Sequence, residues 1–236
     1  MTRQPLWRRA LAEFLGAGLL VTVVVGSGIA AQRLSTDTGL QLLENAIATA
    51  LGLGVLILLL APVSGAHFNP VVSLADTVLH SRSGGGLPAL NLAVYLPAQI
   101  LGGIAGAVLA NAMFAVPTAI SSTDRATPAT VLAEIIATAG LVLLIMGLTR
   151  TGRPAPVIAI AVGAYIGAAY WFTSSTSFAN PAVTIGRVFT DTFAGIAPAS
   201  VLPFLAAQLL GAGAAIALTL VLFPRSRQSV NDPLTD

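Results

Sequence analysis

Of the 236 residues, 56% are hydrophobic and only 8% charged, with a mean hydropathy of +0.88; a soluble domain carries about 25% charged residues, so this composition points to an all-α membrane protein. A formal charge of +2 is no nucleic-acid footprint despite a pI near 9.7. The absence of cysteine excludes disulfide and thiol chemistry, and two isolated histidines give no metal site, so no cofactor is expected.

In chain order, Met1 to Arg9 carries charge ahead of a long apolar segment. No small-residue cleavage pattern follows, so the first helix is expected to be retained. Six stretches reach the roughly 20 residues that a crossing helix needs: 10–31, 39–61, 88–111, 129–149, 155–173 and 199–222. Breakers separate them, including Ser83-Gly84-Gly85-Gly86, Pro117, Gly152-Arg153-Pro154 and Pro198. All basic residues are arginine. An even number of spans puts both termini on one side together with Arg3, Arg8, Arg9, Arg82, Arg150, Arg153, Arg225 and Arg227, against Arg33, Arg125 and Arg187 opposite. Eight against three predicts cytoplasmic termini and a multi-pass protein of the plasma or inner membrane. Asp37, Asp124 and Asp191 lie near the three opposite arginines and leave that face close to neutral.

An internal repeat organises these spans. Leu11-Ala12-Glu13 recurs as Leu132-Ala133-Glu134, and Leu96-Pro97-Ala98-Gln99-Ile100-Leu101-Gly102 recurs as Leu205-Ala206-Ala207-Gln208-Leu209-Leu210-Gly211. Between them stand two matching segments 111 residues apart, Asn69-Pro70-Val71 and Asn180-Pro181-Ala182. Each follows a small polar run and precedes about ten apolar residues, too few to cross roughly 30 Å of hydrocarbon. The half-repeats, about 8–111 and 129–223 of a single domain spanning 1–236, each hold three spans and one half-helix. Because three is odd, the second half lies upside down relative to the first, and the half-helices enter from opposite faces. Asparagine is a strong N-cap and proline suits the first helical position, so both segments start helices. Two starts meeting at mid-membrane oppose two positive dipole ends and leave asparagine amides to donate to a passing neutral solute, an arrangement that repels protons and cations.

Ser64-Gly65-Ala66-His67-Phe68-Asn69-Pro70 and Phe178-Ala179-Asn180-Pro181-Ala182 resemble the two pore loops of the aquaporin family, and the resemblance covers roughly residues 8 to 223. It implies six transmembrane helices and two re-entrant half-helices in an inverted-repeat bundle, an hourglass pore in each subunit of a homotetramer, and passive permeation rather than enzymatic chemistry. Carried over, Asn69 and Asn180 are the central donors and His67 lines the inner vestibule. Glu13 and Glu134 match the family's buried glutamates, and Gln99 and Gln208 its paired glutamines.

As intramembrane polar groups, Glu13 and Glu134 are functional candidates by default. Their symmetric placement makes them acceptors for the backbone N–H groups of the re-entrant loops, which cannot satisfy themselves at membrane depth, and Glu134→Gln should then retain folding. Gln99 and Gln208 receive the same reading. Gly102 with Gly106, and Gly211 with Ala215, read as small residues that admit close helix crossing. Tyr170 and Trp171 read as interface anchors; Glu44, Asp76 and His80 read as interfacial solvation.

The family places an arginine three residues beyond the second asparagine; here that residue is Val183. Counting without gaps from the asparagines, the other constriction positions are Thr49, Ala168 and Ser177, with a two-residue shift offering Leu51 in place of Thr49. Small neutral residues at all four places imply a wide, weakly polar constriction. Arg187, one helical turn beyond Val183, either replaces the missing guanidinium or serves the helix C-terminus in pairing range of Asp191. The sequence therefore predicts a passive channel in a lipid bilayer for water and small neutral solutes, glycerol-like polyols and undissociated arsenite among them. The alternatives are an ion-coupled secondary transporter with the glutamates as proton relay, and a non-conducting scaffold.

Overall fold

Apolar runs of crossing length become six long helices, and the two short runs become half-helices between them. The structure is a computed structural model that describes residues 4–80 and 86–224, with the side chain of His80 outside that description. Arg3, Arg82, Arg225, Arg227 and the breaker residues 83–85 also lie outside it. The elements are α1 (Leu6–Leu34), α2 (Thr38–Ser64), α3 (Pro70–His80), α4 (Ala89–Met113), α5 (Pro128–Arg150), α6 (Ala155–Phe172), α7 (Pro181–Gly186) and α8 (Pro198–Leu222). All but α3 and α7 are long and apolar enough to cross a membrane. Among the described residues there is no strand.

Local chemistry sets the helix ends. Asp37 caps α2 by accepting from Leu40 N at 2.8 Å, and α2 closes on Gly65, whose φ of +94° suits only glycine. Thr127 caps α5 in a reciprocal arrangement with Thr130, with Pro128 in the first turn. The two half-helices differ from the expected pair of ten-residue segments. The first runs 11 residues, but the second runs only 6 before tightening into a 3₁₀ turn over Arg187–Phe189. The reason lies in its carbonyls. Arg187 O accepts from Ile196 N and Val188 O from Ser121 N, so neither is available to extend the helix.

The bundle rests on two close crossings that occupy equivalent places in the two halves, α1 against α4 and α5 against α8. A Cβ at Gly102 would lie 2.2 Å from Phe14 O, one at Gly106 2.0 Å from Gly18 O, and one at Gly211 2.5 Å from Ile135 O. Only glycine lets these backbones touch. Thr22 takes advantage of the approach and donates its hydroxyl to Gly106 O at 3.1 Å. Gly103 and Gly186 seat α7 against α4 in the same manner, each with backbone where a Cβ would go. With six helices outside and α3 and α7 inside, the polar loops before the half-helices are enclosed by protein, the one setting in which irregular backbone is tolerated at membrane depth.

Gly106→Ala is therefore expected to push α1 and α4 apart and to destabilise the protein by about 1–3 kcal/mol, the range for overpacking. Gly213→Ala, where an added Cβ meets nothing within 4 Å, should be neutral or slightly stabilising through helix propensity. Thermal unfolding of the two detergent-solubilised variants beside the parent protein checks the contrast.

Candidate functional site

Glu13 and Glu134 are fully buried carboxylates, and each collects four donors. Glu13 accepts from the Ser64 hydroxyl at 2.5 Å, from the backbone N–H groups of His67 and Phe68 at 3.0 and 2.7 Å, and from Gln99 Nε2 at 2.7 Å. Glu134 accepts from the Ser175 hydroxyl at 2.7 Å, from Phe178 N and Ala179 N, each at 2.8 Å, and from Gln208 Nε2 at 2.8 Å. The glutamines extend both networks, Gln99 to Ser73 Oγ and Gln208 to Thr184 Oγ1, each at 2.9 Å. Ser73 and Thr184 both stand four residues beyond their asparagines.

These networks hold the loops in costly shapes. Ala66, Phe68, Thr176, Ser177 and Ala179 all have positive φ between 49° and 60°, a region that costs a non-glycine residue roughly 1–2 kcal/mol. Charge-assisted bonds to the carboxylates offset that cost. The loops deliver the asparagines tip to tip. Asn69 Oδ1 accepts from Val71 N, and Asn180 Oδ1 from Ala182 N and Val183 N, so each caps its own half-helix. Asn69 Nδ2 donates across to Ala179 O at 2.8 Å, and Asn180 Nδ2 to Phe68 O at 2.9 Å. The amides are thus not wholly free, as the sequence alone suggested. One hydrogen of each ties the halves together, and the other remains for the pore.

Both asparagines line a narrow cavity of about 60 Å³. One water needs about 10–15 Å³ on this measure, so the neck has room for a short file of them. It opens toward the face bearing the termini into a vestibule of about 220 Å³, sharing Ile57, His67 and Val72, and toward the opposite face into one of about 640 Å³, sharing Arg187. His67 stands at the first junction, with Nδ1 3.0 Å from Ser73 Oγ and Nε2 4.0 Å from Asp76. Asp76, read earlier as interfacial, lines that vestibule and accepts from Leu87 N.

Of the four constriction positions, Thr49, Ser177 and Val183 line the neck. Leu51, the alternative to Thr49, is 66% exposed on the outside of α2. Ala168 is a correction: it is exposed and does not line the neck. The lining residues of α6 are Val162, Ile166 and Tyr170, four apart along one helical face, and Ala168 falls between them on another. Tyr170 is likewise no interface anchor. It is buried, and its hydroxyl sits 3.0 Å from Thr49 Oγ1. Trp171 does point outward, at 52% exposure. The 3.6 period run back from an aligned loop could have identified Tyr170; a gapless count from the asparagine could not. Pro70, Val71 and Pro181 face away from the neck into an apolar cleft with Leu96 and Leu209, while Ala182 is buried against Gly103.

Arg187 is not paired with Asp191. It is 4% exposed, its Nε donates to Ala194 O, and its guanidinium lies 3.5 Å from the Phe178 ring centre. The opposite-face aspartates act as local caps instead. Ser200 and Ala126 hold the Asp124 carboxyl below the usual carboxylate range, and the backbone N–H and hydroxyl of Ser122 do the same for Asp191.

Crossing helices around two opposed half-helices, with a cavity that narrows between two wider mouths, define a polytopic membrane protein built around a pore. The chain belongs to the major intrinsic protein family, whose model matches residues 1–177. It is 48% identical over 223 residues to the aquaglyceroporin AqpS of Rhizobium meliloti (strain 1021), covering 94% of this chain and 93% of that protein. It is 33% identical over 199 residues to aquaporin Z of Brucella melitensis biotype 1, covering 78% and 85% respectively. The X-ray structure of the aquaglyceroporin from Plasmodium falciparum shares the fold, with a TM-score of 0.68 at 21% identity over 92% of this chain and 96% of that one.

The carboxylate geometry corrects the expectation for Glu134→Gln. All four of its partners are donors, two on each oxygen. An amide presents N–H groups to two of them. At roughly 1–3 kcal/mol for each buried donor left unpaired, the substitution should cost about 2–6 kcal/mol, read as a fall in thermal stability of the purified protein.

Proposed function

We propose that the chain is a passive transmembrane channel for water and small uncharged solutes, including glycerol-like polyols and undissociated arsenite. The single domain over 1–236, with half-repeats near 8–111 and 129–223, would assemble as a homotetramer in the plasma or inner membrane with both termini cytoplasmic. The observation that carries the reading is the pair of asparagine-capped helix starts meeting in the narrowest part of an hourglass. Two positive helix ends there disfavour cations, while one free amide hydrogen on each asparagine can orient a neutral hydroxyl or water. The names of the relatives, an aquaglyceroporin and an aquaporin, agree with water and glycerol as solutes. Glu13 and Glu134 serve as loop anchors with Gln99 and Gln208. Carboxylates already saturated by four donors each are poorly placed to relay protons, which supports a channel over an ion-coupled transporter.

Light scattering of reconstituted vesicles challenged in parallel with water, glycerol, urea and arsenite tests the proposal. Fluxes that rise linearly with the gradient and ignore an imposed proton gradient are expected; saturation and collapse with that gradient would establish the transporter instead.

Two substitutions probe the pore itself. Asn180→Asp places a negative charge at the opposed helix starts and should admit cations, as acidic rings do in cation channels. Electrical recording on bilayers shows a cation current if Asn180 forms the central barrier and none if it does not. Val183→Arg adds bulk and charge beside Ser177 and should reduce glycerol and arsenite permeability more than that of water. An equal fall for every solute would remove Val183 from the selective part of the neck.

A further inference from the structure

The neck is asymmetric. Leu20, Val24, Ile166 and Val183 present apolar surface, and apart from the asparagines and His67 the polar lining is a second group, Thr49, Tyr170, Ser177 and Arg187, of which Arg187 also lines the larger vestibule. Within that group the Thr49 and Tyr170 hydroxyls face one another, Ser177 Oγ is buried without a protein partner, and Arg187 lines both cavities. Only Nε of Arg187 has an acceptor among the described residues, the carbonyl of Ala194. No carboxylate lies within 4.0 Å of its guanidinium among those residues, and its face is spent on Phe178. Phe178 is itself fixed by its N–H to Glu134 and by an edge contact with Phe204. The guanidinium is therefore held in place at the lining of both cavities, and its four terminal N–H groups have no acceptor among the described residues.

We propose that Arg187, with Ser177 beside it, is the specificity-determining polar side of this neck: the guanidinium donates to, and the serine hydroxyl exchanges hydrogen bonds with, hydroxyl-bearing neutral solutes. The inference rests on the channel reading and says which residues choose the solute. The neutral side chains Thr49, Ser177 and Val183 are thus joined by a single fixed positive charge, one helical turn beyond Val183. A neutral polyol gains donors there, and a solute of equal size lacking one hydroxyl leaves them unpaired, the situation in which discrimination is steepest.

A purely structural arginine is the competing reading, and the fold provides the means to separate the two. Arg125 clasps the same turn, donating Nε to Gly195 O at 2.6 Å and Nη2 to Phe193 O at 2.7 Å. The 193–195 turn thus keeps two of its three arginine anchors, and the bond from Phe193 N to Gln32 Oε1, when Arg187 is replaced. Arg187→Met preserves length and packing on Phe178 and removes every donor. In vesicles of equal protein content, water, glycerol and 1,2-propanediol permeabilities are measured after subtraction of the empty-vesicle rate. The glycerol-to-propanediol ratio should fall about tenfold in Arg187→Met, the factor set by one charge-assisted hydrogen bond. Ser177→Ala should lower it by a smaller factor, and Arg187→Lys, which keeps charge without the planar fork, should fall between. An unchanged ratio in Arg187→Met, or a parallel loss for all solutes together with lowered thermal stability, overturns the proposal in favour of a strut. Should Arg187→Met fail to fold, unchanged ratios in both Ser177→Ala and Arg187→Lys overturn it equally. Unmodified protein that conducts no faster than empty vesicles refutes the channel reading itself, a separate result.

Discussion

Everything in the pore depends on satisfying the backbone of two irregular loops where no water or lipid can do so. An unpaired N–H at membrane depth costs several kcal/mol, and each loop presents two such groups, those of His67 and Phe68 in one and of Phe178 and Ala179 in the other. Glu13 and Glu134 solve this with the strongest acceptor available, and an ionised carboxylate is tolerable there only because four donors converge on it. The glutamines then transmit the anchorage to Ser73 and Thr184, one turn into each half-helix. Loop shape, helix start and asparagine position are consequences of that one interaction, made twice.

The parts legible in the sequence are those that obey local or repeating rules. Helix number and order followed from length and hydropathy. The matching of Glu13 with Glu134 and of Gln99 with Gln208 was visible because duplication repeats a whole local environment. Thr49, Ser177 and Val183 reached the neck by counting along loops and helices that keep their register. Ala168 failed because a helix turns 100° per residue, so a count wrong by two selects a different face, and Tyr170 took the place. The short α7 and the role of Arg187 were hidden for another reason. Both depend on the N–H groups of Ser121 and Ile196 and the carbonyl of Ala194 folding back on the half-helix, contacts with no local signature.

The face opposite the termini shows how charge is managed without ion pairing. Arg33, Arg125 and Arg187 each bond backbone carbonyls and lie against an aromatic ring. Asp37, Asp124 and Asp191 each accept from backbone N–H groups. Proximity in sequence suggested a near-neutral face with Arg187 in pairing range of Asp191, whereas the chain uses both signs separately to pin loops. Planar guanidinium suits this use because it can stack and donate at once.

The crossed bonds between Asn69 and Ala179 and between Asn180 and Phe68 also impose a timetable on biogenesis. Glu13 and Gln99 can anchor the first loop as soon as α4 exists, but the cross-bonding hydrogen of the Asn69 amide has no acceptor until a stretch 110 residues further on is made. At a synthesis rate of roughly 5–20 residues per second, that interval lasts on the order of 5–20 s. During it, α4 and the second half are still being made and the Asn69 amide lacks its cross-bond. The two cross-bonds, and with them the shape of the neck, therefore come into being only when the ribosome has delivered the second asparagine.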